Sequence, residues 1–152
     1  MPYAELEARQ QLLDELAQAT DHLGDALASV GAAYEQLDEQ QADRLEDLLF
    51  RPLQRAYGRA RRTYAEFAGR YGLGGREFTM PSPGLPSTGV KGFIENAVQG
   101  VERAELELVA LQESAIAIEV GDVEFRAGLS DVRRVIDGFS QQARGFVSAY
   151  GR

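Results

Sequence analysis

The chain has 152 residues, 44% of them hydrophobic, with a formal net charge of −8. That is enough apolar material for one folded core and argues against global disorder. With no cysteine, a disulfide framework, a thiolate nucleophile and a cysteine zinc site are all excluded. No run of about 18 apolar residues occurs, so no membrane-spanning helix is expected. Met1-Pro2-Tyr3 leads into Glu5-Leu6-Glu7 rather than a basic start, so no secretory signal is expected and the default address is the cytoplasm.

The charge alternates in blocks. Residues 1–43 carry one base and ten acids, and residues 44–76 carry eight bases and three acids. Residues 77–124 carry two bases and nine acids, and residues 125–152 carry five bases and two acids. Such blocks make separate acidic and basic zones, not the broad basic footprint of a duplex binder, so no nucleic-acid partner is expected.

In chain order, the first helix is expected from about Tyr3 to Leu37. Leu6, Leu13, Thr20, Leu27 and Tyr34 form one heptad row, and Arg9, Leu16, Leu23, Val30 and Leu37 the other. Ala19, Ala26 and Ala33 flank one side and Ala17, Gly24 and Gly31 the other, which lets neighbouring helices approach closely. A polar break follows at residues 38–41. The second helix covers about Ala42 to Tyr71, with a core face of Leu45, Leu49, Leu53, Ala56, Ala60 and Phe67. Pro52 sits inside this pattern, removes one helical hydrogen bond and predicts a kink. Residues 72–89 hold three prolines and five glycines and read as a loop, with Phe78, Met80 and Leu85 as its apolar members.

From Val90 to Tyr150 the apolar residues repeat every seven. Val90, Ala97, Ala104, Leu111, Ile118, Phe125, Val132, Phe139 and Phe146 form one row. Ile94, Val101, Leu108, Ala115, Leu129, Ile136, Ala143 and Tyr150 form the second, with Asp122 its only polar position. Read as one helix, this stretch is about 90 Å long at ~1.5 Å per residue. Gly121-Asp122 could instead end one helix and cap the next. The matching register on its two sides favours a continuous or kinked rod.

The chemistry of catalysis is missing from the pattern. His22 is the only histidine, so neither the Glu-x-x-His pairs of a di-iron bundle nor a nucleophile–histidine pair is suggested. No cofactor, no metal and no enzymatic activity are expected. The concentrated signal is basic: Arg44, Arg51, Arg55 and Arg62 fall in a narrow stripe opposite the core face of the second helix. Arg59 borders the stripe and Arg61 lies off it, and Arg126, Arg133 and Arg134 could extend it. Such a stripe suits an anionic lipid surface.

One helix of about 35 residues, a proline-kinked helix and a very long third helix together resemble the BAR domain, the curved dimeric module typified by endophilin and amphiphysin. The most telling stretch is Leu48-Leu-Phe-Arg-Pro-Leu53 followed by Arg61-Arg62-Thr-Tyr64, similar to that family's apolar-x-Pro-Leu segment and its basic, tyrosine-containing run. Ala65 stands where an acid often follows the tyrosine, the loop is longer, and the acidic block from Glu95 to Glu124 departs from an extended basic face.

The expectation is therefore a single all-α domain over residues 1–152, an elongated antiparallel three-helix coiled coil with a kinked second helix. A compact four-helix bundle with a turn near Gly121 is the alternative. The resemblance implies a cytoplasmic, peripheral membrane scaffold that senses or shapes curvature as a homodimer on anionic phospholipid. Membrane contact is expected through Arg51, Arg55, Arg59, Arg62, Arg126, Arg133, Arg134, Phe78, Met80 and Leu85. The dimer interface is expected at Leu16, Leu23, Val30, Phe139 and Phe146, because an uncovered seam needs a second copy. The competing reading is a non-enzymatic helical adaptor with a protein partner.

Overall fold

The computed structural model describes residues 2–151, and among them every regular element is helical. The helices are α1 (Pro2–Glu35), α2 (Glu39–Leu45), α3 (Arg51–Arg70), α4 (Gly89–Glu113), α5 (Ala115–Val120), α6 (Val123–Ile136) and α7 (Phe139–Tyr150). A π-turn, Glu46–Phe50, joins α2 to α3, and a 3₁₀ turn, Pro86–Thr88, leads into α4. They form four arms: α1, α2 with α3, α4 with α5, and α6 with α7. None of these helices is long and apolar enough to cross a membrane.

The first arm follows its heptad rows, with Leu13, Leu16, Leu23 and Val30 fully buried. Thr20 is buried on the same seam, where its hydroxyl donates to the Leu16 carbonyl at 2.8 Å, so its polarity is satisfied. The expected polar break is a capped turn: the Asp38 carboxylate accepts the Gln41 N–H at 2.9 Å and starts α2. Pro52 acts through the π-turn just before it. Proline offers no N–H to the preceding turn, and there the helix widens so that the Arg51 N–H donates to the Glu46 carbonyl, five residues back.

The single rod from Val90 to Tyr150 is not formed. The helix breaks at Ser114, whose hydroxyl accepts the Ala117 N–H at 3.1 Å. It breaks again at Gly121-Asp122, where both residues are extended and Asp122 caps α6 by accepting the Phe125 N–H at 2.8 Å. It breaks a third time at Asp137-Gly138, where Gly138 has φ 80°, a left-handed conformation open to glycine at no steric cost. The second break reverses the chain. Gln112 donates to Ser130 at 3.1 Å and accepts from Arg133 at 2.7 Å, positions that one continuous helix would hold about 30 Å apart.

The heptad rows on either side of this turn fill one shared core. Leu111 and Leu108 from α4 are buried, as are Phe125, Leu129 and Val132 from α6. Between them the seam lapses: Ile118 is 66% exposed, and Ala115 faces solvent. The five residues expected at a dimer interface, Leu16, Leu23, Val30, Phe139 and Phe146, lie inside the chain's own core, each at most 4% exposed. The seam that was to need a second copy is covered by the chain folding back on itself.

The arms pack as a square. α1 neighbours α3 and α4, α6 lies on α3, α7 lies on α4, and α3 and α4 occupy one diagonal. α3 and α4 run the same way, both antiparallel to α1, so the connection from Tyr71 to Thr88 must travel the length of the bundle. It does so along the groove between α1 and α3. Phe78 packs edge-on against Tyr64 at 5.1 Å, Met80 and Pro83 cover the Leu27–Phe50 region, and Gln36 donates to the Pro86 carbonyl at 2.8 Å.

Candidate functional site: an arginine groove between α3 and α6

α6 settles closely on α3. The rings of Phe67 and Phe125 lie 4.5 Å apart, and Gly128 sits against the Thr63 side chain, where any Cβ would overlap it. Just beyond this close approach, the Arg59 Nε donates to Asp131 at 3.1 Å, and a second Arg59 nitrogen donates to the Thr63 hydroxyl at 3.0 Å. The Thr63 hydroxyl in turn donates to the Arg59 carbonyl at 2.9 Å. Arg134 reaches the other Asp131 oxygen. Hydrogen bonds from Arg134 and Arg59 hold the Asp131 carboxyl below its usual value, so it is ionised at neutral pH.

Around this centre runs a shallow groove of about 690 Å³ bordered by Arg55, Arg59, Arg61, Arg62 and Arg134, with Asp131 the only acid lining it. Asp131 offsets one positive charge and leaves the groove strongly positive. Arg55 and Arg62 have no hydrogen-bond or ion-pair partner among the described residues, and both are exposed. The Arg61 guanidinium lies over the Tyr57 ring at 5.2 Å, on the side of α3 that faces α1. The arrangement can hold carboxylates or phosphates by charge-assisted hydrogen bonds, with two arginines free to donate and two fixed by a shared aspartate.

The structure brings together only part of the expected basic set. Arg55, Arg59, Arg62 and Arg134 share the groove. Arg51 is tied to Glu46 and Asp47 at 3.7 and 3.3 Å. Arg126 donates to the Gly121 carbonyl at 2.8 Å beside the α5–α6 turn, and Arg133 turns toward Gln112 of α4. Arg61, placed off the stripe by its helical phase, borders the groove but carries its guanidinium over Tyr57, whose ring faces Gly24 of α1.

Phe78 is packed on Tyr64 with Arg76 over its outer face at 4.3 Å, while Met80 and Leu85 are 49% and 72% exposed. Phe78 and Met80 lie along the α1–α3 side, away from the α3–α6 groove.

The partner that sequence reasoning missed is Asp131. Its signal was present as Asp131 and Arg134 one turn apart on α6, but only the chain reversal sets Asp131 opposite Arg59. A second polar centre fixes that reversal. Arg70 grips Asp122 through two nitrogens at 2.6 and 2.8 Å, Tyr71 donates its hydroxyl to the same carboxylate at 3.0 Å, and Arg9 lies over the Tyr71 ring at 4.0 Å. Asp122, which could cap a helix after Gly121, is the cap of α6. Among the described residues, no group of three or more His, Asp or Glu side chains is placed to hold a metal ion. No protein-family model matches this chain, and neither a curated protein nor a solved structure matches it.

Proposed function

We propose that this chain is a non-enzymatic helical-bundle adaptor that holds an acidic segment of a protein partner in the groove between α3 and α6. The observation that carries this reading is the pair Arg55 and Arg62, unpartnered on either side of the fixed Arg59–Asp131–Arg134 centre. A solvated helix face needs charge, but not two arginines from different helices locked on one carboxylate with two more left free beside them. The fixed arginines orient the partner and the free ones adjust to its acids, which suits a segment rather than one small anion.

The experiment is a titration with a fluorescent glutamate-rich peptide at two salt concentrations. Binding is expected to weaken as salt rises, because exposed charges are screened over about 8 Å at physiological ionic strength. Arg55→Glu with Arg62→Glu is expected to weaken it at least about tenfold, equivalent to about 1.4 kcal/mol. Unchanged affinity in a folded double variant overturns the reading.

A second reading keeps the anionic membrane as the partner, in the peripheral, curvature-related role that the BAR resemblance implies. It is favoured by Arg55, Arg62 and Arg134 standing exposed along one side of the bundle. A dimer in that reading would need an interface other than the five core residues named above. Salt-sensitive sedimentation with phosphatidylserine vesicles, lost in the same double variant, would favour it over the adaptor.

A further inference from the structure

A second groove runs between α4 and α7 and shares no residue with the arginine groove. Ile94, Val98 and Val147 line one end, about 450 Å³, and Leu106 and Val109 line the other, about 470 Å³. Arg144 lines both, so the two hollows adjoin along the α4–α7 groove. Its second end opens at the break at Asp137-Gly138, which also lines it. Leu106 stands 72% exposed there, covered by no other part of the described chain. From Ile94 to Val109 the groove follows α4 for about 22 Å at ~1.5 Å per residue, the length of roughly four helical turns.

Its edge is acidic. Glu95, Glu102, Glu105 and Asp137 line it, against Arg144 alone. An apolar floor of this length between two helices accepts the ridge of a third helix packed side by side. The carboxylates decide what flanks that ridge: a partner helix edged with acids would face four like charges, and one edged with lysine or arginine would be paired.

We propose that the α4–α7 groove docks an amphipathic helix of a partner protein, its apolar stripe on Val98, Leu106 and Val147 and its basic edge along Glu95, Glu102 and Glu105. The interaction is independent of the arginine groove, so the bundle presents two docking surfaces of opposite charge preference.

The test uses three designed helical peptides of about four turns. One carries a leucine stripe with a lysine edge, one the same stripe with a glutamate edge, and one the lysine composition in scrambled order. Fluorescence anisotropy against the full chain is expected to show the first binding at least tenfold more tightly than the other two. Leu106→Ser is expected to weaken it about fivefold, and Glu102→Lys with Glu105→Lys at least tenfold. Both variants alter exposed or half-exposed positions, so the fold should survive. Arg55→Glu with Arg62→Glu should leave this binding unchanged.

Equal binding of the scrambled peptide would reduce the effect to net charge and overturn the proposal. So would the absence of binding by the lysine-edged peptide, or its full retention in Leu106→Ser. If the chain alone sediments as a dimer that Leu106→Ser dissociates, the occupant is a second copy and the partner helix is refuted.

Discussion

Replacing Gly128 with alanine probes the contact on which the arginine groove is built. A Cβ at this position would overlap the Thr63 Oγ1 and lie 2.6 Å from its Cγ2 and 2.9 Å from its Cβ. Thr63 is branched and 2% exposed, and its hydroxyl is engaged twice by Arg59, so it cannot rotate away without breaking those bonds. Overlap with three atoms places the overpacking cost near the upper end of its range, about 3 kcal/mol. Alanine regains about 1 kcal/mol of helix propensity over glycine. The net loss is about 2 kcal/mol, a fall in Tm of roughly 4–8 °C for a domain of this size. Gly145→Ala is the control, since a Cβ there meets nothing within 4 Å, and it should raise Tm by roughly 2–4 °C. Thermal unfolding followed by circular dichroism reads both. Adding Thr63→Ala should recover at least about 1 kcal/mol of the Gly128→Ala loss as a coupling between the two sites. Acidic-peptide binding should fall with Gly128→Ala, because α6 must move away from Arg59. Additivity of the two substitutions to within about 0.5 kcal/mol, or stabilisation by Gly128→Ala, would refute the reasoning.

Asp122→Ala removes the α6 cap, the Arg70 bridge and the Tyr71 acceptor together, and should destabilise the chain by about 2–4 kcal/mol in denaturant unfolding. Burial raises the Asp122 carboxyl pKa, but hydrogen bonds from Arg70, the Phe125 N–H and Tyr71 outweigh it and hold the group below its usual value. A depressed carboxyl contributes stability that is present above the unfolded value of about 4 and lost as pH falls through the folded value. The wild type should therefore lose stability on acidification below that point more steeply than Asp122→Ala, and parallel curves would contradict this. Leu108→Ala, at a fully buried seam position, should cost about 2–5 kcal/mol, whereas Leu106→Ser, two residues away and exposed, should change stability by less than about 0.5 kcal/mol. Equal losses would mean that α4 presents a different face to the core.

Heptad spacing and capping residues made most of the helices legible, because apolar periodicity reports which face of a helix is buried. It does not report what that face is buried against. Rows such as Leu111 with Val132 read as one rod because both sides of Gly121-Asp122 have the same phase. With seven phases available, two helices serving one core share a phase by accident often enough to mislead. The contrary signs were local: Asp122 and Ser114 as caps, and Asp137-Gly138 as a left-handed turn. The basic character of α3 could be read from its stripe, as could Pro52's disturbance of the helix. The groove could not, since Arg59–Asp131 joins positions 72 residues apart and exists only after the chain reverses. The α4–α7 groove was hidden for the same reason, its two walls having been placed on one helix.

The claim on which both grooves rest is that the chain folds back at Gly121-Asp122 into a four-arm bundle. Small-angle X-ray scattering tests it directly, with the mass taken from the forward intensity. A monomer of this length folded compactly should give a radius of gyration of about 15–18 Å. A radius above about 25 Å, the value of a rod built on a ~90 Å helix, would contradict it.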